Sequence, residues 1–133
     1  MNRGNHPAWM RRWRRGASGR DPVEKLARAL AETDAERAGA TLHPRVILTI
    51  DSGGEAQVPP TPMRGRNAVA FALVKLVTPG TSVEMASING ASGVVLRRGG
   101  VVVGVVTSEI RAGYLRSVWV VCNPQKLRHW NGG

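Results

Sequence analysis

Five side chains of this 133-residue chain are candidates for proton transfer near neutral pH, and they are spread along the sequence. They are His43, Asp51, Glu84, Glu109 and Tyr114. Proton-transfer enzymes need an acid and a base that converge in an apolar cavity. Spacing brings no two of these side chains to one cavity. The sequence therefore favours a non-catalytic role and assigns no catalytic residue.

Metal and covalent chemistry are not indicated either. The three histidines and the single cysteine are scattered, without the paired spacing of metal ligands. Cys122 lies in an apolar strand and is interpreted as a small core residue. No metal site and no cofactor are predicted. A lone cysteine suits a reducing cytosol, and no apolar run approaches the roughly 20 residues that span a bilayer. We therefore expect a cytoplasmic protein with no membrane span.

The first 20 residues form a basic, tryptophan-containing arm. They hold six of the chain's 19 Lys and Arg and no Asp or Glu, within a formal net charge of +10. Trp9 and Trp13 are four residues apart, so a helical arm would present both on one face. We expect this arm to be disordered, with contact to DNA phosphates or to an anionic membrane surface as the open alternatives. The basic side chains available for that contact are Arg11, Arg12, Arg14 and Arg15.

Helical signals begin at residue 21. Asp21 and Pro22 are typical of a helix start, and apolar residues follow at helical spacing up to Leu30. A second, shorter helix is predicted over 34–42, ending where His43-Pro44 follows. A third helix starts at Gly65 and ends by Pro79-Gly80.

Strand signals dominate the rest of the chain. The segment 45–50 is predicted as a strand that ends in the turn 51–54, and 55–58 as a brief extended piece. Four further strands follow in the last third, separated by Asn89-Gly90, Gly99-Gly100 and Ala112-Gly113. Such dipeptides favour tight hairpins. The prediction for residues 21–133 is an α+β domain with N-terminal helices on a curved antiparallel sheet.

Two turns have alternative interpretations. Pro124 has no N–H to donate, so we expect an edge of the sheet to end at Asn123, with Leu127 folding back on the sheet and Lys126 in water. This segment either anchors a tail or forms a docking surface. Similarly, the turn at Asp51 is either a local Asx turn or a nest of N–H groups for an anion.

Four motifs in this order resemble those of SnoaL-like domains, which share a cone-shaped fold with nuclear transport factor 2, ketosteroid isomerase and polyketide cyclases. More specifically, they resemble the C-terminal extension of extracytoplasmic-function sigma factors. The departures from that pattern are Ser52, Glu55 and Gln125. The matching residues are Asp51, Gly53 and Gly54; Pro62, Gly65, Val69, Ala70 and Phe71; Asn89, Gly90 and Gly93; and Asn123, Pro124, Lys126 and Leu127.

The resemblance implies a regulatory module that modulates transcription initiation by contacting sigma factor domains or RNA polymerase. The upstream helical domains of a sigma factor are not in this chain, so it is either a stand-alone relative or part of a longer protein. The alternative is a small-molecule-binding protein, or an isomerase- or dehydratase-type enzyme, that takes an apolar ligand in the cone. Trp119 is expected in the sheet core or, with Tyr114 and Phe71, along that pocket. A homodimer through the outer sheet face also stays open. The residues assigned to regulatory contact are Asp51, Gly53, Gly54, Asn123, Pro124, Lys126 and Leu127.

Overall fold

A computed structural model of the chain describes residues 21–54 and 59–132. The basic arm, with its four candidate arginines (11, 12, 14 and 15), lies outside the described residues, as does the segment 55–58 that was predicted to be extended. The predictions for both segments therefore stay predictions.

Three helices precede the strand-rich part. They are α1 (Pro22–Ala31), α2 (Ala35–Ala40) and α3 (Arg66–Lys75). The side chain of Asp21 caps α1 by accepting a hydrogen bond from the Val23 N–H, and Asp34 caps α2 in the same way. α3 ends earlier than Pro79, at Lys75. None of the described helices has the length and apolar character needed to cross a bilayer.

The strands form one six-stranded sheet in the order β2-β1-β6-β5-β4-β3. Strands β3 to β6 pair antiparallel in sequence, which confirms the predicted meander. Irregular register in β1–β6, β4–β5 and β5–β6 accompanies the curvature of the sheet. The strand bounds are β1 Leu42–Asp51, β2 Met63–Arg64, β3 Thr81–Ile88, β4 Ala91–Arg98, β5 Val101–Arg111 and β6 Tyr114–Val121.

The sheet is mixed rather than wholly antiparallel, because β1 runs parallel to β6. This pairing also corrects the expectation that an edge of the sheet ends at Asn123. The last strand, β6, lies in the middle of the sheet, between β1 and β5. Strand β1 begins before Pro44, and its pairing with β6 is irregular between Leu42 and Ile47, where a proline cannot donate a ladder hydrogen bond.

The helices cover one face of the sheet, which we call the inner face. The predicted apolar side of α1 is buried, as are Val69 and Leu73 of α3. They pack against Leu48 of β1 and Val118 of β6 in the main core. Three helices on a curved sheet confirm the predicted α+β cone fold.

Candidate functional site

The parallel pairing of β1 with β6 brings two distant turns together. Asp51, the last residue of β1, lies opposite Val121, the last residue of β6, and the Cys122 N–H donates to the Asp51 carbonyl at 2.8 Å. Because neighbouring parallel strands have their carboxyl ends at the same end of the sheet, the turn that follows β1 meets the turn that follows β6. We call the region where these two turns meet the outer corner. It joins two of the predicted motifs across more than 70 residues of chain.

The Asp51 carboxylate is the centre of the outer corner. It accepts hydrogen bonds from Lys126 Nζ at 2.5 Å, from Asn123 Nδ2 at 3.3 Å and from the Gly53 N–H at 3.3 Å. The hydrogen bond from Lys126 is the main cause that lowers the pKa of Asp51 below its ordinary value of 3.8, with Asn123, the lysine charge and Gly53 adding to it. The carboxylate is therefore ionised at neutral pH, which suits an ion pair and opposes a role as general base.

The hydrogen bond from the Gly53 N–H to the Asp51 carboxylate decides between the two interpretations of the first turn. It is an Asx turn, and that N–H is used by the chain's own carboxylate. Gly53 has a φ of 72°, and a Cβ there would lie 2.8 Å from Asn123 Cγ. Only glycine fits where the two turns touch. Gly54 has a φ of 93° with open space around it. Glycine is favoured there only because the positive φ strains other residues, and not because a side chain would collide.

Asn123 organises the second turn. Its Oδ1 accepts from the Gln125 N–H at 3.1 Å, and its backbone carbonyl accepts from the Lys126 and Leu127 N–H groups, each at 3.0 Å. These bonds start a 3-10 helix, Lys126–His129, directly after Pro124. The expectation that Leu127 folds back on the sheet is correct, because its side chain is only 3% exposed.

Leu127 packs on the outer face of the sheet, opposite the helices. It joins a small second apolar cluster. Asn131 fastens the end of the segment, since its side chain accepts from the Val102 N–H at 2.8 Å and donates to the Val102 carbonyl at 3.1 Å. The other buried members of this outer cluster are Ile88, Val95, Val102 and Val105.

The hairpin motif between β3 and β4 supports the same cluster. A Cβ on Gly93 would lie 2.3 Å from Ile88 Cδ1 and 2.8 Å from the Val106 carbonyl, so this glycine leaves the space that Ile88 fills. Three of the four motifs therefore converge on the outer face. The fourth, which includes Gly65, starts α3, and its N–H donates to the Val46 carbonyl at 3.2 Å.

A cleft of about 530 Å³ lies between the β3–β4 hairpin and the C-terminal 3-10 helix. Its floor is formed by β5 and β6. Trp130 on its rim is 39% exposed, and Trp119, which pairs with Thr107 of the floor, is 43% exposed. The lining residues are Ser87, Ile88, Asn89, Val105, Thr107, Val121, Lys126 and Trp130.

The sequence did not predict this cleft, although one signal was present. Val94 and Val95 of β4 are both buried, and so are Val105 and Val106 of β5. Consecutive apolar residues in a strand indicate that both faces of the sheet are covered. The predicted fold relied on the alternation of apolar and polar residues along the strands, which indicates a sheet with only one buried face.

Trp119, Tyr114 and Phe71 were predicted to line one pocket, but the structure places them on different parts of the surface. Trp119 is not in the sheet core, because it alternates with the buried Val118 and Val120 and so faces outward. Phe71 is 59% exposed on α3, where Lys75 Nζ lies 5.1 Å from its ring. Tyr114 is 41% exposed beside the β5–β6 turn.

Three of the proton-transfer candidates, Asp51, Glu84 and Tyr114, also lie apart. Glu84 forms an ion pair with Arg97 on the outer face, at 3.0 Å, and Tyr114 lies at the opposite end of the sheet from Asp51. Within residues 21–54 and 59–132, Thr41 is the one polar side chain that is buried, and its hydroxyl donates to the Ala38 carbonyl. The described residues therefore include no fully buried acid–base pair.

No protein-family model matches the sequence, and no curated protein matches it. Solved structures do match. The extracytoplasmic-function sigma factor SigJ of Mycobacterium tuberculosis is 24% identical with a TM-score of 0.57, over 90% of this chain and 47% of the sigma factor. IdmH of Streptomyces antibioticus, a proposed polyketide cyclase, is 16% identical with a TM-score of 0.55, over 85% of this chain and 97% of IdmH. An NTF2-like protein of unknown function from Cytophaga hutchinsonii is 15% identical with a TM-score of 0.54, over 81% of this chain and 92% of its own. This chain therefore has an NTF2-like, SnoaL-type fold.

Proposed function

We propose that this SnoaL-type domain is a non-catalytic regulatory module that binds a sigma factor domain or RNA polymerase through the outer corner and its cleft. The observation that carries the proposal is the meeting of Asp51, Gly53, Asn123 and Lys126 at one exposed edge. These are residues of the two motifs that resemble the regulatory extension of sigma factors.

The physical character of this surface suits a protein partner. Binding energy at protein interfaces is concentrated in aromatic anchors surrounded by a polar rim. Trp119 and Trp130 are half exposed, and the apolar floor beside them is edged by the Asp51–Lys126 ion pair. Hydrogen bonds within both turns hold the corner in one conformation, which lowers the entropy lost on binding.

The choice of a transcription partner rests on the likeness to SigJ. The chain spans 90% of its own length in that comparison and less than half of the sigma factor. Because the four motifs resemble those of the C-terminal extension of such sigma factors, we assign this domain to the regulatory part.

The enzyme alternative has less support. Although IdmH shares the fold, Asp51, Glu84 and Tyr114 lie apart on the sheet, and the pKa of Asp51 is lowered rather than raised. A fold that hosts catalysis elsewhere does not supply a catalytic pair here. A small apolar ligand in the outer cleft would be a competitor for the proposed partner.

Biolayer interferometry with the full chain tests the proposal against purified sigma factor and purified core polymerase. We expect Trp130→Ala and Trp119→Ala each to weaken binding about tenfold or more, since each removes an aromatic anchor. Phe71→Ala is the control, because Phe71 is an aromatic on α3 that is even more exposed, at 59%, and lies outside the cleft. It should leave affinity unchanged.

Three outcomes would overturn the proposal. The first is no binding to either protein, and the second is an equal loss in the Phe71→Ala control. The third is a dimer in size-exclusion chromatography that Trp119→Ala converts to a monomer, which would assign the outer face to a second copy of this chain.

A further inference from the structure

A second surface with a distinct character lies at the other end of the sheet from the outer corner. It is formed where β1 and β6 begin, where β5 ends, and where β2 and α3 meet β1. Five arginines and one tyrosine lie there, and we call this set the arginine patch. Its members are Arg45, Arg64, Arg66, Arg111, Tyr114 and Arg116.

Backbone pairing and side-chain contacts place these residues together. Arg64 lies opposite Ile47, and Arg111 lies opposite Tyr114. Arg66 Nε donates to the Leu42 carbonyl at 2.9 Å, and its guanidinium carbon lies 5.9 Å from the centre of the Tyr114 ring.

The irregular β1–β6 register brings the remaining two arginines beside these. Leu42 pairs with Leu115 and Ile47 pairs with Ser117. Arg45 lies between the two paired residues of β1, and Arg116 lies between the two paired residues of β6. Arg45 and Arg64 are exposed. Neighbouring strands lie about 4.8 Å apart, so Arg64, Arg45 and Arg116 lie on three adjacent strands, β2, β1 and β6, at this end of the sheet.

The patch is not neutralised by the chain's described carboxylates. Arg28, Arg37, Arg97 and Lys126 each form an ion pair with a described acid. Within residues 21–54 and 59–132, none of the five patch arginines does. The strand register places one carboxylate at this end, that of Glu109, which lies opposite Ser117.

The start of α3 adds to the positive potential. α1 and α2 are each capped by an aspartate and carry a glutamate in the first turn. α3 has no side-chain cap and no acidic residue in its first turn, and Arg66 is its first residue. The positive end of the helix dipole therefore points into a region that already carries excess positive charge.

We propose that the arginine patch binds the phosphodiester backbone of a nucleic acid. All five cations are arginines, whose planar guanidinium binds phosphate oxygens in pairs. A row on three adjacent strands can contact successive phosphates of one strand. The exposed ring of Tyr114 offers a face for an unpaired base. Membrane-surface binding relies instead on an amphipathic helix with an apolar face, whereas this surface is made mainly of strands.

Fluorescence anisotropy with labelled single-stranded DNA, single-stranded RNA and duplex DNA of about 20 nucleotides tests the proposal. The full chain is used with all six arm arginines (3, 11, 12, 14, 15 and 20) changed to glutamine, so that the arm carries no arginine. The patch variant adds Arg45→Gln, Arg64→Gln and Arg116→Gln. The control adds Lys25→Gln, Lys75→Gln and Arg98→Gln, which changes the net charge by the same amount elsewhere on the domain.

We expect the patch variant to lose tenfold or more in affinity and the control to lose about twofold. The slope of log K against log salt should fall by about 2 for single strands, because about 0.7 counterion is released per phosphate contact. Comparison of the three probes identifies which nucleic acid supplies the phosphates. Tyr114→Ala should weaken single-strand binding more than duplex binding.

The proposal is overturned if the arm-neutralised protein binds none of the probes, or if patch and control variants lose affinity equally. It is also overturned if the patch variant loses binding to phosphatidylserine vesicles and keeps its affinity for nucleic acid. Circular dichroism checks folding. If the triple variant does not fold, Arg64→Gln alone, at an exposed position, should still lower affinity and the salt slope relative to Lys25→Gln.

Discussion

The two faces of the sheet are both apolar, but they differ in what covers them. The inner face is covered by three helices, and its central side chains, such as Leu48 and Val118, are fully buried. The outer face is covered only in part, by a short 3-10 helix that Leu127 anchors. Beside it, Trp119 and Trp130 remain half exposed.

This difference indicates a division of roles. A face closed by helices contributes to stability, and the one buried polar side chain among the described residues, Thr41, is hydrogen-bonded to the Ala38 carbonyl. A face closed by one small segment leaves an apolar surface that a partner can cover. Three of the four recognisable motifs lie on the second face, which is the face that we propose a partner covers.

The largest expected effect is on the inner face. Leu48→Ala should lower the free energy of unfolding by about 2–5 kcal/mol, since it leaves a cavity in the main core. Trp119→Ala on the outer face should change it by less than about 1 kcal/mol. Urea denaturation measures both. Equal losses would show that the outer face belongs to the folding core, which would remove the distinction between the two faces.

Local signals in the sequence were sufficient for much of the fold. Asp21 and the apolar period after it gave α1, and dipeptides such as Asn89-Gly90 gave the hairpins, because each depends on residues close in sequence. The parallel pairing of β1 with β6 depends on packing between distant segments. No local pattern specifies it, so the wrong strand was placed at the sheet edge.

The candidate site shows the same contrast between features set by residues close in sequence and features set by the pairing of distant strands. Asp51 and Asn123 were identified separately from their motifs, but their hydrogen bond follows from the β1–β6 pairing and was not predicted. The arginine patch was missed for a related reason. Its members come from five elements, and charge along the sequence drew attention to residues 1–20 instead.

A second, smaller effect is expected at the anchor of the outer face. Leu127→Ala should cost about 2 kcal/mol, at the low end for a buried leucine, because the outer cluster is small and one side of it can relax. Hydrogen exchange should show faster exchange at the Leu127 and Trp130 amides, with β1 and β6 unchanged. Faster exchange throughout the sheet would mean that the outer cluster is part of the global core.

A third effect isolates the contact between the two turns. Gly53→Ala and Gly54→Ala both place a side chain at positive φ, which costs about 1–2 kcal/mol. Only the Cβ at 53 would also collide with Asn123. Thermal unfolding should therefore show a larger loss of stability for Gly53→Ala than for Gly54→Ala. Gly53→Ala should also weaken partner binding more than Gly54→Ala. Equal losses would indicate that the two turns do not need to touch.

The smallest expected effect is the pH dependence of the outer corner. The pKa of Asp51 is lower in the folded chain than its ordinary value of 3.8, mainly because of Lys126. Its contribution to stability is therefore complete above pH 3.8 and is lost as the pH falls through the lower, folded value. Lys126→Met should remove most of this dependence, whereas Lys75→Met on α3 should keep it. Denaturation from about pH 2 to 6 measures the difference. Because the ion pair is exposed, the effect is small. A variant and a wild type that respond identically to acid would show that Lys126 does not hold the two turns together in solution.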